Sequence, residues 1–432
     1  MRALAGISIV VAAAAWPTRA HGNPDGVVPS ATTGDRHVVA AIDYSYEVDR
    51  SQLFREATGD GSPDGPVPLH KDLVFHQYKH TITPRLEIGV LTDTWIYGAL
   101  PIVVAQDREL RLDSGVDRSS SSTLEDGLLP MAGFDAQNPN VPPAGDLVFR
   151  GPTRHGLDQV HLGIGVAPMN QARDDTKPTW KIGAEARLAI GKVMRFDPMA
   201  PGANTAVGYG VHELKLWTTF DRRIGWAEPW AEFFWQVPLA STGASLFQNP
   251  GFGSTNNDKA QQAGASFGFE AYAVDNADHN RVSLDLGTKI VAHFEGRDYS
   301  ELWEVLAYAG DDRVPGNPLI LDSDPVTPGV QAKSYPGISN IENYLETTAH
   351  AALRAELGPH VRASVIGDVT WISNHYITFA NAGVDRNGDN LINPGTTEIN
   401  PAYVDRIDLV GHRYESMHGL TFAIGVEGMV MF

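Results

Sequence analysis

The chain has 432 residues, no cysteine and a formal net charge of −19 at pH 7. The lack of cysteine excludes disulfide scaffolds, thiolate metal sites and cysteine nucleophiles. The acidic balance argues against nucleic acid as a partner, because binding to a phosphate backbone depends on clustered Lys and Arg.

The first residues have the layout of a secretory signal peptide. Arg2 precedes the apolar run Ala3 to Trp16, and the small-residue cleavage site Thr18-Arg19-Ala20 follows. We therefore predict a signal peptide over residues 1–20 and a short periplasmic segment over 21–36. The sequence after it has no apolar run of the ~18–20 residues that a membrane-spanning helix needs.

From residue 37 onward, apolar and polar residues alternate in one segment after another. In the first segment, Val38, Ile42 and Tyr44 fall on one face, whereas Asp43 and Glu47 fall on the other. A period of two predicts a strand with one apolar and one polar face. About twelve such strands are predicted, at 37–48, 73–91, 95–106, 156–168, 179–191, 211–221, 225–237, 261–275, 280–295, 341–357, 360–378 and 412–432.

The connections between these strands alternate between tight turns and long loops. The long loops are rich in Asp, Asn, Gly, Pro and Ser and are predicted at 49–72, 107–155, 192–210, 238–260, 296–340 and 379–411. Transmembrane barrels have this arrangement, with short periplasmic turns and long outer loops. A large soluble all-β protein is the alternative, but it would be expected to show repeats of even spacing, and we find none of fixed period.

Closure of the sheet follows from the chemistry of the bilayer. In hydrocarbon every backbone N–H and C=O must be paired within the protein, so a sheet can cross only when it has no edge. We therefore predict an all-β fold over residues 37–432: a closed antiparallel transmembrane β-barrel of about 12 strands (range 12–14). Strand 412–432 is expected to pair with strand 37–48 and close the barrel.

The polar faces of the predicted strands carry charges that require water or one another, so these faces are expected to line the lumen. Acidic side chains outnumber basic ones, which favours passage of cations or neutral solutes, and the mixture of signs predicts cross-strand ion pairs. The predicted lumen-lining residues are Asp43, Glu47, Arg85, Glu87, Lys181, Glu185, Arg187, Glu213, Lys215, Glu228, Glu232, Glu270, Asp285, Lys289, Glu346, Arg354, Glu356, Arg362 and Asp368.

Three segments resemble an outer-membrane protein family that is named after the meta-pathway of phenol degradation and is often described as transporter-like. GLDQVHLGIGV (Gly156 to Val166) resembles the family's G-x-G-D-x-x-L-G strand motif, with Leu157 in place of the second glycine. ITPRLEIGVLTDTWIYGALPIVV (82–104) and GYGVHELKLWTTFDRRIGW (208–226) are similar to its paired strands. The resemblance implies an outer-membrane barrel that allows solute passage. Phe432 resembles the closing aromatic residue that the barrel-assembly machinery recognises, which implies that machinery as a partner.

A calcium site is predicted in the last long loop, although no cofactor is required for the expected function. Asp385, Asn387, Asp389 and Asn393 occupy positions 1, 3, 5 and 9 of a calcium-loop template, and Leu391 offers its carbonyl at position 7. The bidentate carboxylate of position 12 is missing unless Glu398 replaces it. An acidic turn without an ion is the alternative interpretation.

The sequence therefore predicts a porin-like barrel in the bacterial outer membrane, in contact with lipid, that passes small solutes and is not an enzyme. A plugged structural or adhesive barrel is one alternative. A lipid-acting hydrolase is the other, because Ser416 and His418 share the predicted outward row with Leu420, although no third orienting group is evident. Loops 107–155 and 296–340 are expected to fold inward as a constriction, and SELWEVLAYAG in the second loop is expected to form a short amphipathic helix.

Overall fold

The structure is a computed structural model and describes residues 38–57, 67–243, 245–247, 259–276, 280–322, 324, 326–329 and 331–432. The predicted signal peptide (1–20) and the segment 21–36 lie outside these ranges. Within the described ranges, no helix combines the length and the apolar character that a membrane span requires.

Twelve strands, β1 to β12, form one closed antiparallel sheet in which each strand pairs with its neighbours in the sequence. The strands are β1 Val38–Glu56, β2 Leu69–Leu91, β3 Thr94–Ala99 with Ile102–Leu112, β4 Leu147–Arg150 with Arg154–Leu157 and Gln159–Met169, β5 Thr179–Ala189, β6 Val211–Asp221, β7 Ala227–Ser241, β8 Gln262–Asp275, β9 Arg281–His293, β10 Tyr344–Leu357, β11 Val361–Ile372 and β12 Tyr414–Met431.

The first and last strands close the sheet, as predicted. Val39 lies opposite Met431 and Asp43 opposite Glu427, in an antiparallel ladder between β1 and β12. Beyond the ladder, the amide of Phe432 donates to the carbonyl of Val38 at 2.8 Å. Because β12 also pairs along its length with β11, neither strand leaves an open edge in the described sheet.

The two faces of the barrel wall differ in polarity. On β12, Phe422, Ile424 and Val426 are exposed on the outside, whereas Glu427 and Met429, which follow them in the strand, are buried inside. The other strands repeat this arrangement, with large apolar side chains exposed outside and polar side chains buried inside. Such a surface suits a sheet that faces hydrocarbon on the outside and a polar interior on the inside.

Two strands of the barrel, β3 and β4, are interrupted along their length. β3 is broken at Leu100-Pro101, where proline has no amide hydrogen to donate to the ladder. β4 is broken twice, before Arg154 and at Asp158, but each of its pieces pairs with β3. Both strands therefore bend without opening the described sheet.

Several strands continue into stretches predicted to be loops. β1 extends to Glu56 and β3 to Leu112, although their last residues are mostly polar and were predicted to lie in loops. The reason is that Leu53, Leu73 and Leu110 face inward there and pack in a hydrophobic core that the sequence pattern did not reveal. The first long loop is correspondingly shorter than the predicted 49–72.

The long loops come together at one end of the barrel, which we call the loop end; the opposite end, with the tight turns, is the turn end. The described parts of the loops contain three short α-helices: α1 Ser122–Glu125, α2 Trp303–Ala309 and α3 Asp405–Asp408. Leu124, Leu306 and Ile407 of these helices join the core formed by the inward leucines of the strands.

Residues 299–338, which we call the capping segment, lie across the loop end. The segment is anchored by a ladder that pairs Gly296–Asp298 with Ser339–Ile341, and it contains α2. The predicted helix is therefore present. It is buried on nearly all sides, however, with Trp303, Val305 and Leu306 wholly inaccessible, so it is a core element and not an amphipathic one.

Candidate functional site

The interior of the barrel, the lumen, contains the charged residues singled out in the sequence. All nineteen lie on the inward faces of their strands. Most of these side chains are deeply buried, because they contact one another. That these side chains face a conduction path remains a prediction.

Ion pairs join neighbouring strands around the lumen. Arg85 on β2 binds Asp43 on β1 at 2.9 Å and Glu427 on β12 at 2.6 Å, so it connects three strands across the closing ladder. Lys79 and Glu47 pair in the same way between β2 and β1, at 3.3 Å. Pairs of this kind hold charged side chains against the wall and reduce the cost of removing them from water.

An acidic row crosses β7, β8 and β9 near the turn end. Glu228 lies directly opposite Glu270, which in turn lies opposite Asp285. Arg354 from β10 partly neutralises this row, at 3.3 Å from Glu270 and 2.7 Å from Asp285. Like charges on directly opposed residues destabilise a sheet, so the arginine and the nearby hydroxyl of Tyr272, which donates to Glu228 at 2.7 Å, are needed here.

Large aromatic side chains also point into the lumen, and the sequence reading missed them. Trp95, Trp217 and Trp230 are all buried on inward faces. Each indole lies across a glycine of the neighbouring strand: a Cβ at Gly165 would come within 2.3 Å of Trp95, and one at Gly183 within 2.3 Å of Trp217. The signal was present in the G-x-G strands, where inward glycines leave room for a ring from the next strand.

Two adjoining cavities occupy the centre of the lumen. The lower cavity, of about 580 Å³, is bordered by residues of all twelve strands, including Arg85, Lys289 and Asp368. The upper cavity, of about 710 Å³, lies between the lower one and the capping segment. Both are bordered by Glu47 and Arg187, so the two cavities adjoin, and we call them together the chamber.

The capping segment contacts the wall above the upper cavity through three polar anchors. Arg108 of β3 donates to the carbonyl of Ser300 at 2.7 Å. Glu301 accepts hydrogen bonds from Ser51 and Ser416. Arg154 binds Glu304 at 2.7 Å, and the two side chains are almost completely buried. Of these anchor residues, Ser51, Arg108, Ser300 and Glu301 border the upper cavity.

Ser416 does not share the outward row with His418, contrary to the prediction. Arg50 lies opposite Leu420 but Gln52 lies opposite Met417, so β12 has one extra residue between these pairs, and His418 there has φ 54°. A bulge of one residue moves all following side chains to the other face. Ser416 therefore faces inward and donates to Glu301 at 2.6 Å, and the Ser–His pair proposed for a hydrolase is not assembled.

The loop of the predicted calcium site is folded around its own carboxylates. Asp385 accepts hydrogen bonds from the amides of Asn387, Gly388 and Asn390, and Asp389 accepts one from Leu391. The side chain of Asn393 donates to Asp389 at 3.0 Å and to Glu398 at 2.8 Å.

Backbone hydrogen bonds hold the pKa of Asp385 below its usual value. In the part of the chain that the structure describes, no group of three or more acidic or histidine side chains is arranged to hold a metal. Calcium binding remains a prediction.

Comparisons with solved structures give distant likenesses to outer-membrane proteins. An outer membrane channel from Pseudomonas putida F1 is 8% identical, with a TM-score of 0.40, over 95% of this chain and 100% of that chain. A FadL homologue from Pseudomonas aeruginosa is 8% identical, with a TM-score of 0.34, over 93% and 91%. The outer membrane protease OmpT from Escherichia coli is 8% identical, with a TM-score of 0.29, over 92% and 97%.

No protein-family model matches the sequence, and the search of curated proteins gave no match. The similarity of 156–166 to the meta-pathway family therefore remains a resemblance. The architecture is established by the strand pairing of this chain, and its function has to be argued from the lumen.

Proposed function

We propose that the chain is an outer-membrane barrel, a channel or transporter-like protein, that passes small solutes passively through a charged lumen. The observation that carries this proposal is the chamber: a closed barrel with an apolar outer face surrounds two adjoining cavities bordered by charged side chains. Water and polar solutes are stabilised in such an interior, whereas lipid is the natural solvent of the exposed apolar belt.

The capping segment is proposed as the constriction. Its helix α2 places Trp303 between the guanidinium groups of Arg108 and Arg154, whose Cζ atoms lie 5.7 and 4.7 Å from the ring centroid. These contacts cross the loop end directly above the upper cavity. Removing the segment is expected to widen the path more than any single substitution.

Conductance in a planar lipid bilayer tests the proposal. Asp298 and Ser339 are cross-strand partners, so residues 299–338 can be replaced by Asn-Gly, a two-residue turn suited to closing a hairpin. We expect ion current from the native protein and a several-fold larger current from the shortened one. The matched control replaces residues 385–397, most of which are exposed, by Asn-Gly between Val384 and Glu398, which are joined by a backbone hydrogen bond, and should leave the current unchanged.

A plugged barrel without conductance is the second candidate, and it is favoured by the tight packing of the capping segment. Leu302, Trp303 and Leu306 are wholly buried, and the two leucines belong to the hydrophobic core at the loop end, which we call the loop-end core. Current that stays at the lipid baseline for the native protein and for the shortened one would refute the channel and support this candidate. Current only after shortening would show that the segment closes the path.

A further inference from the structure

The upper cavity has two neighbouring and opposite charges that are not paired with each other. Arg108 on β3 and Glu301 on the capping segment both border it, and they are joined through Ser300, whose carbonyl accepts from Arg108. Within the described residues, neither side chain forms an ion pair with a residue of the opposite charge. Other cations of the lumen, for example Arg85 and Arg187, are in ion pairs.

The Arg108 guanidinium retains unused donor capacity. It has five N–H groups, and within the described part of the chain it donates only the one hydrogen bond to Ser300, while its Nε has no partner. The side chain is 7% exposed and lies between the rings of Phe75 and Trp303, 5.0 and 5.7 Å from their centroids. The two rings hold the guanidinium in place, and a planar cation with free donors matches a carboxylate.

Glu301 has the complementary arrangement. One carboxylate oxygen accepts hydrogen bonds from the hydroxyls of Ser51 and Ser416, at 3.2 and 2.6 Å, so the group is held in place by neutral donors from β1 and β12. Asp49 and Glu346 border the same cavity and also have no Lys or Arg in an ion pair within the described residues. A carboxylate fixed by neutral donors in an acidic surrounding matches an ammonium group.

We propose that the upper cavity binds a small zwitterion, a free α-amino acid, with its carboxylate at Arg108 and its ammonium at Glu301. A simple anion would leave Glu301 without a cationic partner, and a simple cation would leave Arg108 without an anionic one. A cavity of about 710 Å³ accommodates such a solute with its side chain and several waters. The inference rests on the proposed function, because it names a solute class for the same lumen.

Isothermal titration calorimetry on the refolded full-length barrel in detergent tests the inference with three ligands. L-Alanine is the probe, propionate is alanine without the amino group, and ethylamine is alanine without the carboxylate. We expect alanine to bind at least tenfold more tightly than either analogue. Equal affinity for alanine and ethylamine would identify a simple cation site, and equal affinity for alanine and propionate a simple anion site; either result would overturn the proposal.

Two substitutions test which residue binds the ammonium group of the ligand and which binds its carboxylate. Glu301→Gln keeps the size of the side chain and should weaken alanine binding at least tenfold, with little effect on propionate. Arg108→Lys keeps a cation between the rings but loses the planar donors, and it should weaken alanine and propionate alike. The matched control is Asp312→Asn, because Asp312 is an exposed carboxylate of the same capping segment. The affinity of this variant for alanine should stay within twofold of that of the native protein.

The same preparations separate this inference from the proposed function. Circular dichroism and heat-modifiable migration on gels confirm that each variant is folded before it is titrated. Bilayer current without alanine binding would overturn the amino-acid site and leave the channel intact. Alanine binding without current from the native or the shortened protein would support the site and refute passive passage.

Discussion

Gly183 shows how one missing side chain determines the packing of the lumen. It lies opposite Trp217 in the β5–β6 ladder, and the indole covers the space that a Cβ would occupy. We expect Gly183→Ala to destabilise the barrel by about 1–3 kcal/mol, because the ring must move in a filled interior. Urea unfolding in lipid vesicles, followed by tryptophan fluorescence, measures the change.

Gly428 on β12 is the matched control for this substitution. It is exposed on the outer face, and a Cβ built there meets no atom within 4 Å. Gly428→Ala should therefore leave the free energy of unfolding nearly unchanged or raise it slightly. Equal effects at Gly183 and Gly428 would contradict the role assigned to the indole.

Asp408 in α3 gives the loop end a predicted pH dependence. Its carboxylate accepts hydrogen bonds from the amides of Val404 at 2.9 Å and Ala380 at 3.3 Å. Its pKa is raised from 3.8 to about 7, mainly by burial and also by Asp405, although those two amides and Arg297 act in the opposite direction. The folded state therefore holds a proton that the unfolded state releases above pH ~4.

The sign of the effect follows from that raised pKa. The stability that Asp408 contributes is fully present below pH ~4 and is lost as the pH rises to about 7, by up to about 1.4 kcal/mol per pH unit. Hydrogen exchange at Ala380 and Val404, corrected for intrinsic rates, should show easier local opening at pH 8 than at pH 5. Asp408→Asn cannot titrate and should remove this difference; a difference that persists in the variant would assign it to another group.

Single residues were the level at which the sequence was least informative. Alternation placed the charged residues on the inward face, because a period of two is a local property of a strand. It could not place Ser416, because one extra residue at the β12 bulge reverses the alternation beyond it. It also gave no sign that Arg108 would lie between Phe75 and Trp303, which are distant in sequence.

At the scale of elements, the capping segment behaves as a small core attached to a barrel. Leu306 of α2 is wholly buried with Leu128, Phe149 and Ile377 in the loop-end core. We expect Leu306→Ala to lower the free energy of local opening of this segment by about 2–5 kcal/mol, because the substitution leaves a cavity. Hydrogen exchange of α2 measures the opening, and bilayer recordings should show larger or noisier current in parallel.

Leu391 provides the comparison for that substitution, since it is exposed in the last long loop. Leu391→Ala should change neither the exchange of α2 nor the current. If Leu306→Ala weakened the β-strands as much as α2, the capping segment would be part of the barrel's folding unit and not a separately opening element.

The elements themselves were largely predictable. Strand positions followed from alternation, and the alternating lengths of the connections indicated a barrel, because both features follow from local constraints on a sheet in lipid. The loop-end core was not predictable, since Leu53, Leu110 and Leu306 meet only after the barrel has closed. The predicted helix near Trp303 formed, but its burial depends on those distant partners.

At the scale of the whole molecule, the charge of the lumen is expected to determine ion preference once the path is open. The acidic residues that border the two cavities outnumber the basic ones, with Asp49, Glu301 and Glu346 in no ion pair with Lys or Arg within the described residues. An excess of negative charge in a narrow aqueous space raises the local concentration of cations. Replacing residues 299–338 removes Glu301 but leaves the other lumen charges in place.

Reversal potentials in a KCl gradient across a bilayer measure this preference. We expect the shortened barrel to favour K⁺ over Cl⁻, and the preference to weaken as the salt concentration is raised, because exposed charges are screened. Reversing Glu228 of the acidic row and Glu232 of the same strand together to Lys should move the potential toward anion preference, because two carboxylates on the inward face of β7 are replaced by cations. An unchanged potential would place those two carboxylates away from the path, and anion preference in the shortened barrel itself would contradict control by the lumen charge.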